Sequence, residues 1–583
     1  MSQERFRGLR REALLAALLS AFIAGLWCAV TGRTSAEGWT TPLSYHSDGW
    51  FVLGLLKAAR DGHVASFLSI TVPELNAPFG ASWNDFLRQH KIQLVLAGGL
   101  ARAMGLFAAA NLCVLLAHAL AGLSFYGVAR SFRARREWAL CGACAFAFAP
   151  FLFYRSLGHL TLSHYWPIPL AILATSWAFG RRGVPVNGRR FWLGVVIAVV
   201  AGLHNIYYAR LFAELLVLAS LAQLLRGRRR LAPGPLLLLA ALLLALLADN
   251  ANMLAHRWAE GPGLASLLRP YGNLERYALK PIELFLPAPG SGLLPWPGLS
   301  QAYAEGALYR GEMGSAYLGL AGIAGLAAMV FSAFRGWLRR RRGFLPSALV
   351  AVAWILADSV VGGLNGLWGT TGFVWFRATN RYSIWILALV LLWSVTRLSR
   401  ARWTRQRAAS ILAAALVGSL ALADQCPPWT PSAEIAAARS TMASDRTFVE
   451  SLEAALPRDA MLFVLPVLDF PEGPRVLRAT DYEPLRLYLF SSRLRLSYGG
   501  DKGRLREEWQ RRVEELPPEA MAAAVESRGF AGLILNRKAY EDGGEGLRQA
   551  LASSGRREGW QSLDRDFLFL RLLPAQAREV SPP

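Results

Sequence analysis

Apolar runs long enough to cross a membrane, separated by short arginine-dense links, leave few folds open to this chain. "ALLAALLSAFIAGLWCAVTG" (13–32) and "LLLLAALLLALLADNANML" (236–254) are the clearest of several runs of sixteen to twenty-two residues nearly free of charge. That length spans about 30 Å of hydrocarbon at about 1.5 Å per helical residue. With 54% hydrophobic and 18% charged residues over 583 positions, the sequence reads as a polytopic membrane protein.

The formal charge of +23 raises nucleic acid as a partner, and its distribution argues against one. From Gln425 onward 22 Lys and Arg face 23 Asp and Glu, so the excess lies between the apolar runs. Basic residues there hold loops on the cytoplasmic side. No nucleic-acid-binding motif accompanies the charge. Cys28, Cys113, Cys141 and Cys144 fall inside apolar segments and read as small buried side chains. The C-x-x-C at 141–144 has no second pair to complete a tetrahedral metal site.

Six basic clusters set the topology: 5–11, 130–136, 181–190, 226–230, 335–342 and 397–407. With each in the cytoplasm, an even number of crossings fits between every pair of neighbours. Crossings are predicted at about 13–32, 108–129, 138–153, 160–178, a hairpin within 191–225, 236–254, 315–331, 345–361, 382–396 and 408–423. That makes eleven, with the N-terminus cytoplasmic and the C-terminal part outside. The first run exceeds the about 7–15 residues of a cleavable signal core and is read as a retained anchor.

The outer face then collects a loop at 33–107, tips near 154–159 and 204–209, loops at 255–314 and 362–381, and the tail. In the first loop, "WFVLGLLKAARDGHVASFL" and "KIQLVLAGGLARAMGLF" read as amphipathic interfacial helices, joined by the turn-rich "NAPFGASWND". The same loop opens with "PLSYHSDGWF", which places His46 and Asp48 at the mouth of the first crossing.

Polar candidates gather on that face. Asn76, Trp83 and Asn84 mark an acceptor loop. Arg155, His159 and His164 come from "YRSLGHLTLSHYW", and His204 with Asn205 sits at the hairpin tip. Glu305, Arg310 and Glu312 precede the eighth crossing, and Arg377 and Arg381 open the tenth. A carboxylate there can accept a proton from an attacking hydroxyl, and guanidiniums can grip a phosphate leaving group bidentately. On this reading Asp48 is the candidate carboxylate, and His46, Arg155, His159, His204, Glu312, Arg377 and Arg381 are candidates to bind substrate or phosphate.

Plainer roles stand beside these. Asp48 can cap a helix beginning at Gly49, His159 can bond to backbone, and Arg377 and Arg381 can snorkel to headgroups. Arg210 and Glu214 have the spacing of an i,i+4 helix pair. His118 and Asp358 have no partner visible in sequence. No tight ligand cluster argues for a metal, and a divalent cation stays open as a helper.

Residues 440–583 alternate strand-like "MLFVLPV", "LRLSYGG", "FAGLILN" and "FLFLRLL" with helical "DYEPLRLYLFSS", "LREEWQRRVEEL", "PPEAMAAAVESRG" and "GEGLRQALASSG". This predicts a small α/β domain, with the domain boundary placed between 424 and 425. "SYGGDKGR" lacks the spacing of a nucleotide loop and reads as a turn presenting Asp501, Lys502 and Arg504 to the membrane part.

In this layout the chain resembles the GT-C superfamily of integral-membrane glycosyltransferases. "FRATNRY" (376–382) ahead of an apolar helix, and "YRSLGHLTLSHYWPIPL" (154–170), are similar to segments of its bacterial members. The resemblance implies a transmembrane helical bundle with an extracytoplasmic α/β domain, and a polyprenyl-phosphate-linked sugar as donor. It implies a glycan, lipid or protein acceptor at the outer face of a bacterial inner membrane. By analogy Asp48 is the base that activates the acceptor hydroxyl, and Arg377, Arg381 and His159 hold the lipid phosphate. One departure stands out: members of this superfamily often carry two adjacent acids in the first loop, whereas Asp48 is followed by Gly49. The alternatives are a lipid-linked glycan flippase, an O-antigen-type ligase or polymerase, and a non-catalytic accessory protein.

Overall fold

The computed structural model describes residues 3–573, apart from 65, 67, 86–89, 262, 264–268, 289–292, 294–296, 313, 341–344 and 429–431. The chain divides into two compact units. The first comprises Met1–Ala36, Asn111–Ala248 and Arg269–Thr430, and the second Glu37–Ala110, Asp249–Leu268 and Pro431–Pro583.

The first unit carries the apolar helices, and a helix stands at each of the eleven predicted crossings. Among the described residues eight are long and apolar enough to cross a membrane: Arg10–Thr31, Leu106–Ser131, Arg136–Arg155, Ile206–Leu225, Arg229–Asp249, Gly319–Leu338, Thr379–Leu398 and Arg407–Gln425. The chain is an integral membrane protein. The other three, Pro167–Phe179, Arg189–Gly202 and Ser347–Ser359, have 13 or 14 residues, about 20 Å of helix.

The predicted helix at 160–178 is shorter than expected for a stated reason. After one turn at Leu160–Ser163 the backbone breaks, and the helix restarts at Pro167. Pro167 and Pro169 have no N–H to donate, so they are tolerated only in that first turn. The break leaves His164, Tyr165 and Trp166 outside regular helix. Similarly, Pro150 divides Arg136–Ala147 from the short helix Pro150–Arg155, which ends at a candidate arginine.

Two ionisable residues without a partner in the sequence acquire one. Asp358 Oδ1 lies 2.6 Å from Arg210 Nη2, and Arg210 also meets Glu214 at 2.9 Å, as its spacing predicts. His118 Nδ1 meets the Ala147 carbonyl at 2.7 Å.

The second unit is built on a mixed sheet. A two-residue hairpin, β1 (Thr71–Val72) and β2 (Ala81–Ser82), lies in the first loop. The main sheet comprises β3 (Met461–Leu465), β4 (Arg495–Leu496), β5 (Phe530–Asn536), β6 (Gly559–Gln561) and β7 (Phe567–Arg571), ordered β4-β3-β5-β7-β6. β3 pairs in parallel with β4 and β5, while β7 runs antiparallel to β5 and β6. The central strand β5, "FAGLILN", is buried along almost its whole length, which is why it reads as a continuous apolar run rather than an alternating one. All four predicted strands and all four predicted helices are present. The edge strand β6 and the long helix Ser432–Ala455 add to them.

The first-loop segment packs with this sheet in one compact unit. Its amphipathic helices are Asp48–Asp61 and Lys91–Met104. They touch at Gly98, where a Cβ would lie 2.6 Å from the Ala59 carbonyl carbon. Between them the chain bonds alongside β4: Asn76 N–H donates to the Tyr498 carbonyl and Ala77 N–H to that of Leu496, each at 2.9 Å. Ile92, Val95 and Leu96 leave an apolar face of the second helix exposed, as an interfacial helix requires.

Candidate active site

In the first unit, three separated segments converge on Glu312. Arg155, at the end of its short helix, approaches Glu312 Oε2 to 2.5 Å. Arg381, in the 3-10 turn Thr379–Tyr382, approaches Oε1 to 3.3 Å, and Asn380 Nδ2 donates to Oε2 at 3.0 Å. Arg155 also donates to Ser315 Oγ at 3.2 Å. The Arg381 guanidinium lies 4.6 Å from the centre of the Tyr207 ring. The loop bearing Glu312 turns at Gly314, with φ +87°, where a Cβ would lie 2.8 Å from the Tyr154 hydroxyl.

The electrostatics follow from this packing. Burial by itself would raise the Glu312 pKa, but Arg381 and Arg155 outweigh it and hold the carboxyl well below its usual range. Two guanidiniums against one carboxylate leave a net positive charge, fixed in place by charge-assisted bonds. His159 is half-buried beside both arginines. Desolvation first, then the two cations, push its pKa down to about 3. The imidazole is therefore neutral near pH 7. At that pH His159 can offer a phosphate a hydrogen bond but no charge.

Arg377 lies over the Tyr277 ring at 5.4 Å. The Tyr277 carbonyl in turn accepts from Asn380 N–H at 3.2 Å, so Arg377 adjoins the Glu312 group through a shared neighbour. His204 occupies the break between Arg189–Gly202 and Ile206–Leu225. Its Nδ1 meets the Val200 carbonyl at 2.9 Å, and its ring stands edge-on to Trp166 at 4.9 Å. Desolvation pushes its pKa down to about 4. A neutral imidazole there brings no charge to a phosphate. Asn205 caps the following helix by accepting from Tyr207 N–H at 3.0 Å.

In the second unit, Asp48 is the first residue of the helix Asp48–Asp61, with Ser47 at the N-cap. A carboxylate in the first turn is favoured by the helix dipole. Gly49 accounts for the missing second acid, because a Cβ there would lie 2.6 Å from both Ser44 oxygens. No side chain fits at that position. A second carboxylate comes instead from the tail. Burial, and next the charge of Asp48, raise the Asp481 pKa to about 6. Tyr482 positions it by stacking on Phe51 of the same helix at 4.9 Å. In the sequence "DYEPLRLYLFSS" reads only as a helix, and nothing ties Asp481 to residue 48. His46 is exposed, with Nε2 3.3 Å from Ser44 Oγ.

The residues of the predicted acceptor loop are buried within the second unit. Trp83 is fully buried and donates its indole N–H to the Gly499 carbonyl at 2.9 Å. Asn84 exchanges hydrogen bonds with both backbone groups of Ile70. Asn76 is buried in a turn at φ +54°, donating to the Gly80 carbonyl and accepting from Gln510. Their hydrogen-bonding groups are spent holding the loop. The "SYGGDKGR" turn packs on Asp85 of the first loop, to which Arg504 Nε donates at 2.7 Å. Among the described residues no group of three or more His, Cys, Asp or Glu side chains is arranged to hold a metal.

A family model described as a domain of unknown function (DUF6311) matches residues 104–421. No curated protein matches the sequence. Among solved structures, the apo oligosaccharyltransferase of Archaeoglobus fulgidus covers 90% of this chain and 69% of its own, with 14% identity and a TM-score of 0.41. ArnT from Cupriavidus metallidurans bound to undecaprenyl phosphate covers 96% and 97%, with 13% identity and a TM-score of 0.42. The same protein in the apo state covers 97% and 98%, with 13% identity and a TM-score of 0.41.

Proposed function

We propose that this chain, which belongs to the family described as a domain of unknown function (DUF6311), is a membrane glycosyltransferase of the GT-C type. It moves a sugar from a polyprenyl-phosphate carrier to an acceptor hydroxyl at the outer face of a bacterial inner membrane. The observation that carries this reading is the Glu312 group: two oriented guanidiniums with a net positive charge, beside membrane-spanning helices. That suits a lipid-linked phosphate, whose charge grows as it leaves.

In the reaction, the acceptor oxygen attacks the anomeric carbon and the bond from that carbon to the phosphate oxygen breaks. The electron pair leaves with polyprenyl phosphate, whose developing charge Arg155 and Arg381 stabilise. Asp48 takes the hydroxyl proton as general base. Glu312 stays ionised and holds both guanidiniums in one orientation, so little reorganisation is needed in the transition state. The basic links face the cytoplasm.

Deletion of the coding sequence tests this directly. The expected result is accumulation of one polyprenyl-phosphate sugar and loss of one sugar from an envelope glycan, lipid or protein, both read by mass spectrometry and restored by the wild-type protein. Unchanged carrier and envelope profiles would refute it.

A further inference from the structure

Within the first unit, a pocket of about 660 Å³ opens beside the helices Ile206–Leu225 and Ser347–Ser359. Its floor holds Arg210, Glu214 and Asp358, and its walls include Leu218, Leu364, Leu367 and Trp368. That volume lies in the range of small-molecule sites. Leu367 and Trp368 are more than half exposed, so the mouth is apolar and faces the surroundings of the helices. None of these residues belongs to the Glu312 group.

The floor is unbalanced in charge and in hydrogen bonds. One guanidinium serves two carboxylates, through Nε to Glu214 and Nη2 to Asp358, while Nη1 donates to Asn365 at 2.9 Å. Trp354 Nε1 donates to the other Glu214 oxygen at 3.1 Å. Asp358 is 2% exposed, and among the described residues no donor reaches its Oδ2. A buried carboxylate oxygen without a donor is unfavourable, the more so when charged and in apolar surroundings. Arg210 has each of its nitrogens committed, so it is held as a strut rather than offered to an anion.

We infer that this pocket binds a lipid-borne primary ammonium. The ammonium adds positive charge and donates N–H bonds to Asp358 and Glu214, in a pocket whose lining also includes Trp354 and Trp368. The acyl or prenyl chains lie along the leucine walls. Two sources carry this chemistry: a phospholipid with an ethanolamine head, or a polyprenyl-phosphate aminosugar. The inference stands independently of the transfer reaction.

Native mass spectrometry of the full chain tests it, with phosphatidylethanolamine, phosphatidylcholine, phosphatidylglycerol and an undecaprenyl-phosphate aminosugar as competing probes. Retention of an amine-bearing probe about tenfold above phosphatidylglycerol, with phosphatidylcholine weaker for want of N–H donors, is the expected result. Dominance of phosphatidylethanolamine identifies a structural lipid, and dominance of the aminosugar identifies a donor; either supports the inference. Asp358→Asn should remove the preference. Leu367→Trp, at an exposed position that the fold does not depend on, should block retention with unchanged thermal stability. Equal retention of phosphatidylglycerol, or a preference that survives both substitutions, would overturn the inference.

Discussion

The hydroxyl of Tyr45 donates to Asp445 Oδ2 at 2.6 Å, joining residues 400 positions apart. Asp445 is fully buried and paired with Arg486, which also meets Asp564 and Asp566 at 2.6 Å each. Tyr45 stands three residues before Asp48, so the tail's charge network anchors the segment bearing the candidate base. Removing one member of a buried charge pair costs about 3–5 kcal/mol, whereas losing the tyrosine hydroxyl costs about 1 kcal/mol. Arg486→Met is therefore expected to lower the thermal midpoint of the purified protein far more than Tyr45→Phe. Equal shifts would show that the network does not hold the unit together.

Glu312→Gln leaves two guanidiniums facing each other without their carboxylate. Loss of stability of about 3 kcal/mol is expected, together with loss of sugar transfer. Glu312→Asp keeps the charge and should retain part of both. Thermal unfolding and the envelope profile of complemented cells separate the two effects.

His159 supplies a pH dependence whose sign can be worked out. In the unfolded chain an imidazole takes up its proton near pH 6.5; in the folded chain burial and the two arginines delay this to about 3. Between those values the unfolded state binds more protons, so stability falls as pH falls. Thermal midpoints measured from pH 7 to 4.5 should decline, and His159→Asn should flatten that decline. An unchanged slope in the variant would contradict the assigned environment.

Trp83→Phe removes the bond to the Gly499 carbonyl while keeping an aromatic ring in the core. About 1 kcal/mol of stability should be lost, with transfer retained, because this side chain holds the loop. Loss of transfer at full stability would instead mark Trp83 as an acceptor contact.

The sequence carried the membrane helices because each must be apolar along its length, a signal that survives without knowing its neighbours. The α/β tail was legible for the same reason: β5 and β7 are continuous apolar runs. Arg155, Glu312 and Arg381 were each marked as polar residues at helix ends, and their convergence on one carboxylate needed the fold. The partners of Asp358 and of Asp48 were not legible. Arg210 and Asp358 lie 148 residues apart, and Asp481 more than 400 positions beyond Asp48, so no local periodicity links either pair. The burial and bonding of Trp83, Asn84 and His204 were not legible either, because sequence marks a residue as polar without saying whether its hydrogen bonds are already spent.

The role of Asp48 is the claim on which the proposed chemistry turns. In the deletion strain, Asp48→Asn expressed at wild-type level and with wild-type thermal stability should restore neither the missing envelope sugar nor the normal carrier pool. Full restoration of both by that variant would contradict the account.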